Sequence, residues 1–220
     1  MRDIVLAHLP RDRHIRLLDL GAGTGSLVFR LADALPDADL TGIDISAANV
    51  RAAVVRQAAR TEGGRAHFEA ANYLEYAAGP FDAIVADGVL HLIPGDTSSL
   101  IRKLARDVRP GGLLICSMPF DCAYNRAMTL ARRMLRAMRS PWLDDLIVRL
   151  GHLLHGHEMD DAGLRERIIY MYLAPERVMS GPLIAAFAEA GLHPVGEYPM
   201  RSVSLSQLRH RVTVFARGAR

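Results

Sequence analysis

Cysteine is scarce in this chain of 220 residues: there are two, Cys116 and Cys122. Two thiols are too few for a disulfide framework or a structural zinc site, and they read as reduced thiols in a cytoplasmic protein. Lysine is scarcer still, with Lys103 alone, so the positive charge is nearly all arginine. The formal net charge of +3 is modest and no basic run is interleaved with aromatics, which argues against a nucleic-acid partner. No apolar run is long enough to cross a bilayer and no secretory leader pattern is present, so stable membrane insertion is not expected. Repeats and low-complexity segments are also lacking.

What the chain has is apolar material in an ordinary charged background. Half of its residues are hydrophobic and 23% are charged, enough to bury one large core. Apolar and amphipathic segments alternate, which predicts strands near 15–20, 39–44, 65–70, 81–86 and 111–117, with helices near 25–35, 46–62 and 96–109. A further helix runs from after Pro175 to about Ala190, then a strand from Leu192 to Tyr198 and an edge strand over His210–Ala216. Alternation of this kind makes an α/β fold, a mostly parallel sheet with helices on both faces.

The most informative segment is Leu17-Leu18-Asp19-Leu20-Gly21-Ala22-Gly23-Thr24-Gly25-Ser26-Leu27, a buried strand running into a glycine-rich turn that opens a helix. Gly21, Gly23 and Gly25 remove the Cβ atoms that would block positive φ and ligand contact. Thr41-Gly42-Ile43-Asp44-Ile45-Ser46 then reads as a second strand ending in an acid, roughly twenty residues on, the spacing at which a carboxylate holds ribose hydroxyls. The two segments together predict an adenosine-type ligand. A dinucleotide fingerprint needs its third glycine at position 26, which is Ser26.

The run from Asp19 to Gly25 resembles the first motif of the class I S-adenosylmethionine-dependent methyltransferases, acid-x-Gly-x-Gly-x-Gly. The resemblance extends over most of the chain, through Phe81-Asp82-Ala83-Ile84-Val85 with Leu90-His91-Leu92, and through Arg109-Pro110-Gly111-Gly112-Leu113-Leu114-Ile115. It implies a Rossmann-like seven-stranded sheet closed by an antiparallel last strand, within a single domain spanning 1–220. It also implies S-adenosyl-L-methionine as cofactor. Asp44 would bind its ribose, Ile45 would pack on its adenine and Asn72 would take its adenine amino group, in a place where the family usually has aspartate. Asp87 joins Asp19, Gly21, Gly23 and Gly25 among the expected cofactor-binding residues; its other readings are a base or orienting carboxylate and a cap on the next turn.

Residues 119–174 interrupt this pattern as a helical insert after the fifth strand, an expected lid or substrate-binding element. Met128, Ala131, Met134, Leu135 and Met138 fall at helical spacing opposite Arg132, Arg133, Arg136 and Arg139, and a second apolar stripe runs from Trp142 to Leu154. Only Met1–His14 precede the first strand, so the insert or a second subunit, in a homodimer, would cover the cofactor. His91 follows the fourth strand; its imidazole either takes a phenol or carboxylic-acid proton as the catalytic base or simply packs. Asp121 and Tyr124 open the insert and face either substrate or solvent. His152, His155 and His157 with Glu158, Asp160 and Asp161 have no defined zinc spacing, so no metal is expected.

The segment Asp87-Gly88-Val89-Leu90 lacks the Asn/Asp-Pro-Pro-Tyr/Phe motif of the family's amino-methylating enzymes, which leaves a small organic molecule, with a lean to an oxygen acceptor. Two alternatives stand beside this reading. An NAD-dependent oxidoreductase would share the glycines and Asp44, yet no Tyr-x-x-x-Lys pair ends at Lys103, because Ser99 holds the tyrosine's place. A non-catalytic cofactor-binding partner subunit would show nearly the same motifs.

Overall fold

The computed structural model describes residues 1–10, 13–60, 66–155, 172–200 and 207–219. Its elements are α1 (Arg2–His8), β1 (Arg16–Leu20), α2 (Ser26–Ala32), β2 (Asp39–Asp44), α3 (Ala47–Ala58), β3 (Ala66–Ala70), β4 (Phe81–Asp87), α4 (Thr97–Asp107), β5 (Val108–Pro119), α5 (Ala123–Ala137), α6 (Pro141–His155), α7 (Gly181–Glu189), β6 (Leu192–Pro199) and β7 (His210–Arg217). The seven strands lie in the order β3-β2-β1-β4-β5-β7-β6. Pairings from β3 across to β5 are parallel, whereas β7 runs antiparallel to both β5 and β6. This is the Rossmann-like arrangement the motifs imply.

Central strands are mostly apolar because helices bury both of their faces, with Asp19 and Asp82 the buried exceptions in β1 and β4. Leu18, Ile84, Leu104, Leu114, Phe187 and Phe215 fill one face beneath α4 and α7. On the other, Leu17, Val28, Leu31, Val85, Ile115 and Val214 pack with α1, α2 and α3. Successive strands leave β1 first toward β2 and then toward β4, so the chain reverses direction at β1 and opens a crevice at its carboxyl end.

Several boundaries differ from those expected. Helix α2 stops at Ala32, and Ala34 N and Leu35 N both turn back to Leu31 O at 3.0 and 2.8 Å. Pro36 follows, and a residue before proline is pushed out of the helical region. The short N-terminal stretch forms α1, whose Val5, with Leu9 just beyond its end, joins the core beneath α2.

Residues Asp121–Glu176 form a second compact unit inside the chain. Here the expected apolar stripe of α5 is corrected. Met134 and Met138 are 55% and 63% exposed, while Arg132 is half-buried with its guanidinium on Leu173 O at 3.0 Å. The packed face instead runs through Asn125, Met128, Arg132 and Leu135, at steps of three and four. An arginine can lie on such a face because its methylene stem packs while its head reaches a carbonyl. Leu135, Leu143, Ile147, Val148 and Tyr172 form this unit's own small cluster, and Trp142 is 72% exposed rather than part of it. The acidic and histidine side chains from His152 to Asp161 lie outside the described residues.

Candidate active site

The turn after β1 is tied to the end of β2, because Gly21 N and Ala22 N both donate to Ile43 O, at 2.8 and 2.9 Å. All three glycines of the turn have positive φ, 77°, 55° and 80°. A Cβ at Gly21 would sit 2.9 Å from Val89, so this glycine lets the turn pack against the segment after β4. At Gly23 nothing lies within 4 Å of the Cβ position, which leaves the backbone open to a ligand.

Asp44 locks the arrangement. One carboxylate oxygen accepts from Gly23 N at 2.8 Å and the other from Ser46 N at 2.8 Å, while Ser46 caps α3. Asn49 Nδ2 adds a longer contact, 3.4 Å, to the oxygen that Ser46 N holds; a carboxylate has about four acceptor sites, so capacity for a hydroxyl donor remains on the oxygen bonded to Gly23 N. Ile45, next in the chain, is 80% exposed, an apolar face beside that carboxylate. Ala71 N donates to Asp44 O at 3.0 Å, which brings Asn72 to the same strand edge. The Asn72 side chain is used locally: its oxygen accepts from Leu74 N at 3.1 Å and its nitrogen donates to Glu75 at 2.9 Å. The segment is held from behind by the sole lysine, whose Nζ donates to Tyr76 O and to Asp107, a carboxylate also bonded by the Tyr73 hydroxyl.

Asp19 is the electrostatic anomaly. It is 2% exposed, and its carboxyl is pushed up to about 7, first by burial and then by the charges of Asp87 and Asp44. Asp87, at the end of β4, accepts from the Ser117 hydroxyl of β5 at 2.5 Å. Among the described residues no arginine or lysine pairs with any of these three acids. A buried carboxylate among like charges is poised for a cation.

His91 lies in the turn after β4 and is 5% exposed. Arg177, itself buried, fixes this turn by donating to Leu90 O at 2.6 Å, Ile93 O at 2.7 Å and Gly95 O at 3.1 Å. Sequence reasoning misses Arg177 because no local pattern marks an arginine more than eighty residues downstream as a turn's anchor. It also misses His210, whose ring meets that of His91 edge to face at 5.2 Å. Thus Asp19, the glycines, Asp44, Ile45, Asn72, Asp87 and His91 are gathered at one strand edge. Asp121 is in the second unit, where both of its oxygens chelate Arg126 at 2.6 and 2.7 Å. Asp121 is exposed, as the solvent reading expects, and that pairing holds its pKa below the usual carboxylate range. The thiol of Cys116, fully buried, is pushed up to about 12 by desolvation and is unreactive.

Comparison with known proteins agrees with this geometry. Residues 18–114 match a family model described as a methyltransferase domain. A trans-aconitate 2-methyltransferase of Azoarcus sp. (strain BH72) is 30% identical, over 91% of this chain and 85% of its own length. The enzyme of that name from Streptomyces avermitilis is 33% identical over 66% of this chain, which spans about half, 52%, of that relative. A SAM-dependent methyltransferase structure from Methanosarcina mazei superposes with a TM-score of 0.65, covering 99% of this chain and 98% of that one at 15% identity. Fold, motif order and similarity along nearly the whole length converge, and the chain belongs to the class I S-adenosylmethionine-dependent methyltransferases.

Proposed function

We propose that this enzyme transfers the methyl group to an oxygen of a small organic molecule, and that His91 faces that oxygen. When bound, S-adenosylmethionine supplies a methyl group already activated on a sulfonium, so the protein's work is binding, orientation and exclusion of water. The residues present fit it: Gly23 is open, Ile45 offers an apolar face, and Asp19 is a buried acid with no arginine or lysine partner among the described residues. Asp44 would take the ribose hydroxyls and Asn72 the adenine amino group. Asp19, with Asp87 beside it, would hold the cationic amino-acid end, its charge relieved by an ammonium. Gly21 and Gly25 shape the turn that makes this approach possible.

The observation that carries the acceptor side is His91, buried at the strand edge in a turn that Arg177 fixes. Its imidazole takes the proton of a hydroxyl acceptor or holds an oxygen that is already ionised. The relatives named for trans-aconitate methylation support a small carboxylate-bearing acceptor.

His91→Ala tests the reading in turnover of a panel of small acids, alcohols and phenols. Acceptor kcat/KM should fall by about tenfold for a lost hydrogen bond to a charged oxygen, or by about 10²–10⁴ for a lost base. Affinity for S-adenosylhomocysteine should stay within about twofold. Unchanged kcat/KM with an oxygen acceptor would leave His91 a packing residue, and methylation confined to nitrogen or carbon would overturn the oxygen assignment.

A further inference from the structure

We propose that the exposed stripe of α5, continued by Trp142 at the start of α6, is a docking surface for an anionic phospholipid bilayer. The inference is independent of the acceptor and of His91.

Of the nine large hydrophobic side chains exposed among the described residues, four fall between positions 130 and 142: Leu130, Met134, Met138 and Trp142. Leu130, Met134 and Met138 recur every four residues and so line one face of the helix, and the exposed Ala123, Ala127 and Ala131 widen it. Arg126, Arg133 and Arg136 follow one flank of this stripe at steps of seven and three. Arg126 is held by Asp121 and Arg139 by Asp144, whereas Arg133 and Arg136 are exposed and have no acidic partner among the described residues. From residue 122 to 143 the chain has neither aspartate nor glutamate. Residues 121–149 hold six arginines and three aspartates, an excess equal to the net charge of +3 of the entire chain. The rest of the protein is neutral in sum, so the surplus of positive charge lies where the apolar side chains are exposed.

That pairing of features selects the occupant. A second copy laying the same face on itself would bring Arg133 and Arg136 against their own kind across a poorly hydrated contact, which is unfavourable. A protein groove that receives an amphipathic helix closes on its apolar face, yet α5 already packs one side within the insert and offers a single convex stripe. A bilayer surface suits a half-exposed helix. Leucine, methionine and tryptophan enter the boundary between headgroups and acyl chains, while arginine heads stay at the level of the phosphates on their flexible stems. Tryptophan is favoured at that boundary in its own right. No helix among the described residues is long and apolar enough to cross a membrane, so the contact is one of lying on the surface.

Trp142 is the single tryptophan of the chain, so its emission reports this surface directly. The full chain is titrated with vesicles of phosphatidylcholine alone and with vesicles containing about 40% phosphatidylglycerol. With the anionic vesicles the emission should shift to the blue and lose its quenching by acrylamide, and added salt should reverse both changes. Arg133→Gln combined with Arg136→Gln should weaken affinity for these vesicles about thirtyfold. Met134→Gln combined with Met138→Gln should weaken it about tenfold or more. All four positions are exposed, so the variants are expected to fold, and the titration of the parent protein needs neither of them. Emission unmoved by anionic vesicles overturns the proposal. Equal affinity for both kinds of vesicle, with the arginine variant unaffected, overturns the anionic assignment. A blue shift that grows with protein concentration in the absence of lipid and is lost in the methionine variant overturns it in favour of a second copy.

Discussion

At the amino ends of β1 and β4 the buried carboxylate of Asp82 is met by Arg109 at 2.7 Å, by Arg13 at 2.9 Å and by Arg16 N at 2.9 Å. At the carboxyl ends of the same two strands Asp19 is buried more deeply still, and the charges acting on it are the carboxylates of Asp87 and Asp44. One residue type is neutralised at one end of the sheet and frustrated at the other. Desolvating a charge is unfavourable unless partners compensate it, so the first end reads as stabilising the fold and the second as waiting for a positive ligand. Ligand binding would then repair a site that folding leaves unfavourable.

The strongest test of that contrast is Asp19→Asn. The folded carboxyl titrates near 7 and an unfolded one near 3.8. Between these values the folded state keeps a proton that the unfolded state has lost, so stability falls as pH rises through that window and levels off above it. At pH 8 the free Asp19→Asn protein should be more stable than the parent by on the order of 2–4 kcal/mol, with the difference vanishing near pH 4. Denaturant unfolding at the two pH values measures this. A parent whose stability is flat from pH 4 to 8 would show that Asp19 has a compensating partner.

Asp44→Ala comes next. It removes charge-assisted hydrogen bonds worth about 1.5–3 kcal/mol, so affinity for S-adenosylmethionine by calorimetry should fall roughly ten- to a hundredfold. Unchanged affinity in a folded variant would remove Asp44 from the ribose site.

Asp82→Asn should behave in the opposite sense to Asp19→Asn. It leaves Arg13 and Arg109 without their carboxylate, and because both arginines are partly exposed the expected loss of stability is about 1–3 kcal/mol. Cofactor affinity should hold within about twofold. If Asp82→Asn stabilised the protein, or weakened the cofactor as Asp44→Ala does, the division between the two ends would collapse.

Much of the cofactor side was legible in the chain because it is local. A strand, a turn needing positive φ and a helix start lie within eleven residues, and Asp44 falls at a strand end that periodicity marks. The stripe on α5 was misread because helical spacing gives two apolar faces, one through Met128 and Leu135 and one through Met134 and Met138, and only packing selects between them. Arg177 and His210 carry no local signal at all. Their importance comes from contacts with the turn after β4, across 82–87 residues for Arg177 and from the far edge of the chain for His210.

By itself the sequence determined the alternation of strands and helices, the glycine turn, the acid at the end of β2 and hence the fold and the cofactor class, because each of these depends on backbone conformation or burial within a few neighbouring residues. Only the tertiary structure decided that Asp19 is desolvated among like charges while Asp82 is not, that Arg177 holds the turn bearing His91, and that His210 meets His91. Burial and Coulomb energy depend on distances between groups far apart in the chain, and those distances exist only once the strands have taken their order in the sheet.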